Sequence, residues 1–363
     1  TDVDDKTIKH AKKDRKLFQE LTSKYSKQFM EDIEYLKIFP ADVYPRATDH
    51  IEEMIQMIVK LEKDGIAYLS KDNSIYYQLS KDDGYGRLIN LNLSKLKSTD
   101  RMINDEYSKE NPQDFSLWKS WDSEDGDIFW DSPWGKGRPG WHIECSAMSI
   151  KYLGEHFDIH CGGVDNIFPH HENELAQSVS ATNKPFVNYW MHSEHLQLKG
   201  GKMSKTEGNF YTISDLKSKG YSSEEIRFVM LSAHYRTKLS FSIEQCLEAR
   251  PAIQRIASLY NRLINIANGN LDKYNLPIEF QDFIKALDND LDTPKALAIF
   301  FKWIRSINKK IDNNQAMNNK DINGSIQFLK IVDNIFGLLI KEDSPPDEIH
   351  SMVEEREVYR KAG

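Results

Sequence analysis

The sequence predicts an α/β protein that ends in a helical bundle. A strand from His156 to His160, a Gly-Gly turn and a helix from about His170 follow one another, as in a parallel sheet that binds ligands at the carboxyl ends of its strands. From Ser242 onward, apolar residues recur at helical spacing, and Thr293 followed by Pro294 predicts an N-cap and a first helical residue. Because 363 residues are many for one domain, we expect two or three compact units.

The elements before this sheet are predicted from apolar spacing and turn residues. A lysine-rich helix is expected from Ile8 to about Leu36. Asp49 and Glu52 have capping-box spacing ahead of a second helix, for which Gly65 is a suitable C-cap. Short alternating runs from Ile66 to about Leu93 then predict β-hairpins. Residues 94–127 are polar and are expected to form loops.

Composition restricts the cellular setting more than the function. No run approaches the length of a membrane span, and no signal-peptide pattern opens the chain. The three cysteines (Cys145, Cys161 and Cys246) are too few and too scattered for a disulfide framework. We therefore expect a cytoplasmic protein with no membrane partner. The formal net charge of −8 is not typical of a nucleic-acid-binding protein, although a local basic face is enough to contact phosphates.

One group of residues has the spacing of a metal site. His170 and Glu174 are four residues apart, so they project from one face of the predicted helix. Cys145, on the other side of the predicted strand, could add a thiolate, and sulfur with imidazole and carboxylate favours zinc over magnesium or calcium. Each of these residues also has an ordinary interpretation, as a surface pair or a buried small thiol. His160 and Cys161 are further candidates, but strand alternation points them to opposite faces.

A glycine pair and a carboxylate follow the strand. Gly162 and Gly163 would let a ligand approach the backbone, and Asp165 would suit ribose hydroxyls. On these residues alone, a simple tight turn explains the pattern equally well.

Two lysines, Lys202 and Lys205, lie in a glycine-flanked segment with Met203 between them. A mobile cationic loop of this kind can hold a polyphosphate and stabilise a departing pyrophosphate. The alternative is an exposed polar turn.

Several segments together resemble class I aminoacyl-tRNA synthetases, and specifically the cysteinyl-tRNA synthetases. The segment from Lys202 to Thr206 resembles the second signature loop of the class, which usually ends in serine instead of threonine. Gly137 to Met148 and Phe168 to Glu174 are similar to segments of the cysteinyl family. The resemblance extends over essentially the whole chain, and the remaining matching segments are Thr1 to Lys6, Pro45 to Thr48, Asn111 to Phe115 and His234 to Arg236.

The resemblance implies a class I fold: a Rossmann-like parallel-sheet catalytic domain, an inserted connective domain and a C-terminal helical bundle. The expected parts are residues 1–65 and 128–212 for the two parts of the catalytic domain, 66–127 for the insert, 213–241 for a stem-contact segment and 242–363 for the bundle on the tRNA side.

The resemblance also implies a reaction and its cofactors. The enzyme would activate L-cysteine with ATP and Mg²⁺ and transfer it to the 3′ end of tRNA(Cys). One zinc per chain would be bound by Cys145, His170 and Glu174 with an upstream cysteine, and the first signature motif, His-x-Gly-His, is also expected upstream of Thr1. We expect a monomer.

The resemblance assigns roles to the remaining candidates. Lys202 and Lys205 would be catalytic, Trp141 and Thr1 would line the cysteine pocket, and the ATP-binding residues would be Gly162, Gly163, Asp165, Met203 and Lys205. Two other functions share these features: an ATP-dependent ligase that joins cysteine to an amino sugar, as in mycothiol synthesis, and a non-catalytic zinc- or tRNA-binding paralogue. The two-lysine loop argues against the paralogue, because a pure binder needs no group that stabilises pyrophosphate.

Overall fold

The computed structural model divides the chain into two compact units. One comprises Thr1–Ile33 and Phe39–His195, and the other comprises Glu34–Ile38 and Leu196–Gly363. The five-part division expected from the sequence stays a prediction. The structure describes residues 2–3, 5, 7–9, 18–89, 113–198, 211–267 and 274–339, together with the backbone of 201–202.

A four-stranded antiparallel sheet supports the first unit. Its strands are β1 (Ala67–Leu69), β2 (Ile75–Tyr77), β3 (Phe115–Ser120) and β4 (Gly137–Pro139), in that order across the sheet. β1 and β2 form the first of the predicted hairpins. β3 was expected to be a loop, yet Trp118 in it has no exposed surface. The prediction was wrong there because this short strand is stabilised by its partners β2 and β4, which lie far away in the sequence.

Two helices precede this sheet in the sequence. Helix α1 (Phe18–Tyr35) begins in the first unit and ends in the second. Helix α2 (Ile51–Lys63) buries the predicted apolar face, and Met54, Ile58 and Leu61 in that face have no exposed surface. The expected capping box is absent, because the residues from Ala47 to Asp49 form a separate helical turn and the N-cap is His50.

A parallel pair of strands carries the predicted site region. β5 (Phe157–Gly163) pairs in parallel with β6 (Val187–Ser193). Helix α3 (Trp141–Leu153) precedes β5, and helix α4 (Glu172–Thr182) connects the two strands. A wide helical turn, Ile167–His171, leads into α4. This is the predicted strand–turn–helix arrangement, with the helix starting two residues later than expected.

The second unit begins with a small three-stranded sheet and two short helices. In the sheet, β7 (Leu196–Leu198) lies between β8 (Gly201–Lys202) and β9 (Leu239–Phe241). Helices α5 (Ile213–Ser218) and α6 (Ser223–Leu231) each begin with a complete capping box.

The predicted helical bundle completes the second unit. Its helices are α7 (Ile243–Ile266), α8 (Glu279–Asp288), α9 (Thr293–Asp312) and α10 (Asn319–Phe336). The N-cap of α9 is Asp292, whose side chain accepts a hydrogen bond from the Lys295 amide, so the predicted Thr293 cap was one residue late. Among the described residues, no helix is both long enough and apolar enough to cross a membrane.

The bundle contains a position that only glycine fits. A β-carbon on Gly324 of α10 would lie 1.7 Å from the carbonyl oxygen of Asn275, whose own amide donates to the Lys320 carbonyl. The obstructing atom belongs to the backbone, so it cannot rotate away.

Replacing Gly324 with alanine is therefore expected to destabilise the bundle. The steric cost, about 1–3 kcal/mol for overpacking, should exceed the gain of about 1 kcal/mol in helix propensity. Thermal unfolding followed by far-ultraviolet circular dichroism measures the difference. The control Asn334→Ala, on the exposed side of the same helix, should leave the melting temperature nearly unchanged. Equal melting temperatures for the two variants would contradict the close backbone contact.

Candidate metal centre

Three predicted ligands converge in the first unit. Cys145 lies on α3, His170 in the wide turn before α4, and Glu174 in the first turn of α4. One ligand atom from each lies within 4.8 Å of the others. The spacing of four residues places His170 and Glu174 on one side of the helix, and the packing of α3 on α4 supplies the thiol.

A buried hydrogen-bonded link fixes the two helices against each other beside these ligands. The Gln177 side-chain amide donates to the Ser146 hydroxyl over 3.0 Å, and that hydroxyl donates to the backbone carbonyl of Glu174 over 3.3 Å. Ser146 is adjacent in sequence to Cys145, so the link sets the distance between thiol and carboxylate.

Glu174 is the centre of the group. Its side chain has no exposed surface, and its two oxygens lie 3.0 Å from Nε2 of His170 and 3.2 Å from Nε2 of His160. Burial acts to raise the pKa of this carboxyl, but the facing rings of His160 and His170 lower it to about 2. Neither oxygen accepts a well-directed hydrogen bond from the described residues. A buried anion in this state needs a compensating cation, which fits a metal ion.

Two further histidines orient the rings that face Glu174. Nδ1 of His170 lies 2.8 Å from Nδ1 of His142, and Nδ1 of His171 lies 2.8 Å from Nε2 of His192. Burial, with the neighbouring His170, lowers the pKa of His142 to about 3, and burial lowers the pKa of His171 to about 4. Metal binding would place each shared proton on the Nδ1 of the ring that faces Glu174, and would so leave the Nε2 of that ring unprotonated as a ligand.

The thiol of Cys145 is protonated without a metal. Burial raises its pKa, and the negative charges of Glu174 and Glu144 raise it further. A bound metal ion reverses this preference, because it deprotonates a coordinating thiol.

A second group of ligand atoms shares the same carboxylate. His160, His171 and Glu174 also place one ligand atom each within 4.8 Å of the others. His160 faces inward from β5, while Cys161 is exposed, as strand alternation predicted. His171 was not predicted. It lies three residues before Glu174, and residues three and four apart are neighbours on a helix surface, so both His170 and His171 reach this carboxylate.

The predicted ATP-binding glycines occupy two different environments. A β-carbon on Gly162 would lie 2.6 Å from Cε1 of His171, so this glycine makes room for the imidazole. A β-carbon on Gly163 would meet the side chain of Asp165, which is exposed in the turn after β5.

The remaining predicted residues are placed in part. Trp141 is the first residue of α3, and its ring stacks on His170 with a centroid separation of 4.2 Å, although 49% of it stays exposed. The backbone of Lys202 lies in β8. Thr1, Met203 and Lys205 lie outside the described residues.

Comparison with protein families gives two matches. Residues 1–251 match the family described as tRNA synthetases class I (C) catalytic domain, and residues 282–340 match the DALR domain. The cysteine–tRNA ligase of Brachyspira hyodysenteriae is 46% identical over 376 residues, which cover 99% of this chain and 78% of that protein. The cysteine–tRNA ligase of Chlamydia felis is 45% identical over 369 residues, covering 99% of this chain and 77% of that protein.

Solved structures show the same fold at low sequence identity. The methionyl-tRNA synthetase of Mycobacterium tuberculosis in complex with methionyl-adenylate has a TM-score of 0.64 at 14% identity, over 92% of this chain and 82% of that one. A putative arginyl-tRNA synthetase from Campylobacter jejuni has a TM-score of 0.54 at 13% identity, over 90% of this chain and 70% of that one.

Adding a methyl group at Gly162 should disturb the cluster, because the new atom would displace the His171 ring from His192. We expect Gly162→Ala to lower stability by about 1–3 kcal/mol and to shift the side-chain nitrogen resonances of both histidines in NMR spectra. The neighbouring Gly163→Ala is the matched control, since it meets only an exposed carboxylate that can rotate. Unchanged histidine resonances in Gly162→Ala would refute the close contact.

Proposed function

Because this chain belongs to the cysteine–tRNA ligases, a family of class I tRNA synthetases, we propose that it activates L-cysteine with ATP and loads it onto tRNA(Cys) in protein synthesis. The observation that supports this most directly is the group formed by the half-buried Cys145 and the buried His170 and Glu174, since a site that binds zinc can also recognise a thiol substrate. We further propose one resident zinc per chain at this group.

The proposed reaction has two steps. The carboxylate of cysteine attacks the α-phosphorus of ATP, and pyrophosphate leaves with the bonding electrons of the broken P–O bond. The 3′-terminal hydroxyl of the tRNA then attacks the carbonyl of cysteinyl-adenylate, loses its proton and displaces AMP. Both steps depend mainly on positioning and on neutralisation of developing negative charge.

Residues around the metal group would position the amino acid. Zinc, when bound, supplies a Lewis-acidic site for the substrate thiolate and so distinguishes it from a hydroxyl. Trp141, stacked on His170, would cover the pocket, with Thr1 as a second lining residue. The paired proton arrangement of His142 and His170 would keep the His170 ring fixed while substrate enters and leaves.

A separate set of residues would bind ATP with its Mg²⁺. Asp165 and the backbone at Gly162 and Gly163 would hold the adenosine, with Met203 beside them. Lys202 and Lys205 would stabilise the pyrophosphate as it leaves, because a flexible ammonium group can follow the moving charge.

The other parts of the chain would then have the roles that the sequence analysis expected for them. Residues 213–241 would contact the acceptor stem, and the bundle within 242–363 would lie on the tRNA side. We expect the protein to act in the cytoplasm as a monomer without a membrane partner.

Transfer of labelled cysteine tests the proposal. With ATP, the protein should charge tRNA(Cys) and should not form an amide with the amino sugar used in mycothiol synthesis. Amide formation without tRNA charging would assign the chain to the amino-sugar ligases instead. Metal binding without either reaction would favour a non-catalytic paralogue.

Elemental analysis of the purified protein should find one zinc per chain. The double variant Cys145→Ala, His170→Ala should lose it, because only one of the three described ligands remains. Cys161→Ala is the matched control, since its thiol is exposed on the opposite face of β5. Zinc retained by the double variant at the level of the control would exclude this assignment.

Lys205→Ala should slow adenylate formation while leaving cysteine binding nearly unchanged, because the charge acts as pyrophosphate departs. Loss of one such contact typically costs about 3 kcal/mol, or roughly a hundredfold in rate. Cysteine-dependent ATP–pyrophosphate exchange measures this effect. Lys184→Ala, which removes an exposed lysine paired with Glu155, is the control and should exchange at the normal rate. An unimpaired Lys205→Ala enzyme would remove this lysine from the mechanism.

A further inference from the structure

The two oxygens of Glu174 lie nearest to two different histidines. Oε1 lies 3.0 Å from Nε2 of His170, on the side of Cys145, whereas Oε2 lies 3.2 Å from Nε2 of His160. The resident zinc of the proposed function uses the first side. It leaves the second oxygen, which is fully buried and without a well-directed hydrogen bond from the described residues, facing Nε2 of His160.

The second side is prepared for a metal in the same way as the first. Nε2 of His171 lies 3.9 Å from Oε1 of Glu174, and its Nδ1 lies 2.8 Å from Nε2 of His192. On the first side, His170 has the same relation to His142. In both cases, once a metal is bound, the outer histidine can accept the Nδ1 proton of the inner ring, whose Nε2 is then the ligand; this is the usual role of an outer-shell partner.

The rings of the second side are also held in place by packing. The His160 ring lies edge-to-face against Trp190, with centroids 4.9 Å apart, and the ring of His171 lies 5.2 Å from the same tryptophan. Gly162 provides the space that the His171 ring occupies. The second set, with His171 and Glu174 buried and His160 half-buried, is therefore held in place by packing and is not a chance cluster of surface side chains.

We propose that His160, His171 and Glu174, whose ligand atoms lie within 4.8 Å of one another, bind a second divalent transition-metal ion, so that the Glu174 carboxylate bridges two metals. This inference rests on the zinc centre of the proposed function, because the two ions share Glu174. Ions bridged in this way lie about 3.5–4 Å apart. Their mutual repulsion in a buried site makes the second ion the weaker one, and it fills when metal is in excess. Imidazole and carboxylate ligands suit Zn²⁺ and Co²⁺.

Titration of the metal-free protein with Co²⁺ separates the two sites by their spectra. The first equivalent should produce a thiolate-to-cobalt charge-transfer band in the near ultraviolet, because Cys145 is a ligand of the first site alone. A second, weaker equivalent should add visible ligand-field absorption without increasing that band. Competition with Zn²⁺ should remove both signals.

Three variants make the assignment specific. His160→Ala should abolish the second equivalent and leave the charge-transfer band intact. Cys145→Ser should weaken the band, because only the expected upstream cysteine still supplies sulfur, and should still bind cobalt at the second site. His156→Ala, which removes an exposed histidine just before β5 whose Nδ1 donates to the Pro185 carbonyl, should change neither signal.

The outcomes distinguish this proposal from the function on which it rests. A charge-transfer band that saturates at one equivalent, with no further cobalt bound, would overturn the second site and leave the first intact. The same holds if His160→Ala weakens the first site instead, since that histidine would then only orient Glu174. No charge-transfer band in the unaltered protein would overturn the proposed zinc centre itself.

Discussion

A carboxylate with no access to solvent, Glu174, constrains the architecture of the first unit. Its pKa is held at about 2, so it is an anion at neutral pH, inside a protein core where an isolated charge is very costly. The compensating groups must therefore come to it. Histidines from β5 and from the turn before α4 face it directly, and the thiol of Cys145 approaches from α3. The convergence of these elements on one side chain is what makes a metal ion the natural occupant.

Hydrogen bonds between residues that are not metal ligands hold this arrangement in place. Ser146 and Gln177 join α3 to α4 next to the ligands. On the other side of α4, the backbone amides of Gly86 and Leu88 donate to the buried carboxylate of Glu172. The ligand-bearing turn is thus tied to its neighbours at residues directly beside the ligands. Outer contacts of this kind commonly alter metal affinity by about 10–100-fold when they are removed.

The sequence predicts those parts of the site that depend on spacing along the chain and on the chemistry of single residues. The spacing from His170 to Glu174 sets their relative direction within one helix, and the chemistry of Cys145 suggests the third ligand. His171 lies three residues before Glu174 and could have been assigned by the same spacing. His142 and His192 could not be assigned in this way, because their roles depend on how α3, the wide turn and β6 pack together. Three neighbouring motifs rich in histidine were the available signal, but spacing alone does not show which rings meet.

The same distinction applies to the fold. The apolar period of α2, the parallel β5–α4–β6 arrangement and the bundle were predicted correctly, because each has a long or repeated local pattern. β3 was missed, since a six-residue strand in a polar region is recognised only by its partners. The starts of α2 and α9 were misplaced by one residue, because several adjacent polar residues can serve as the N-cap and only the backbone decides between them.

X-ray absorption at the zinc edge tests most directly whether a metal ion compensates Glu174. In protein with one bound zinc, the account predicts sulfur at about 2.3 Å and nitrogen or oxygen at about 2.0–2.2 Å. The sulfur signal should fall in Cys145→Ser and rise when L-cysteine is added, while L-serine should leave it unchanged. A zinc ion surrounded only by oxygen and nitrogen, with no response to cysteine, would contradict the account.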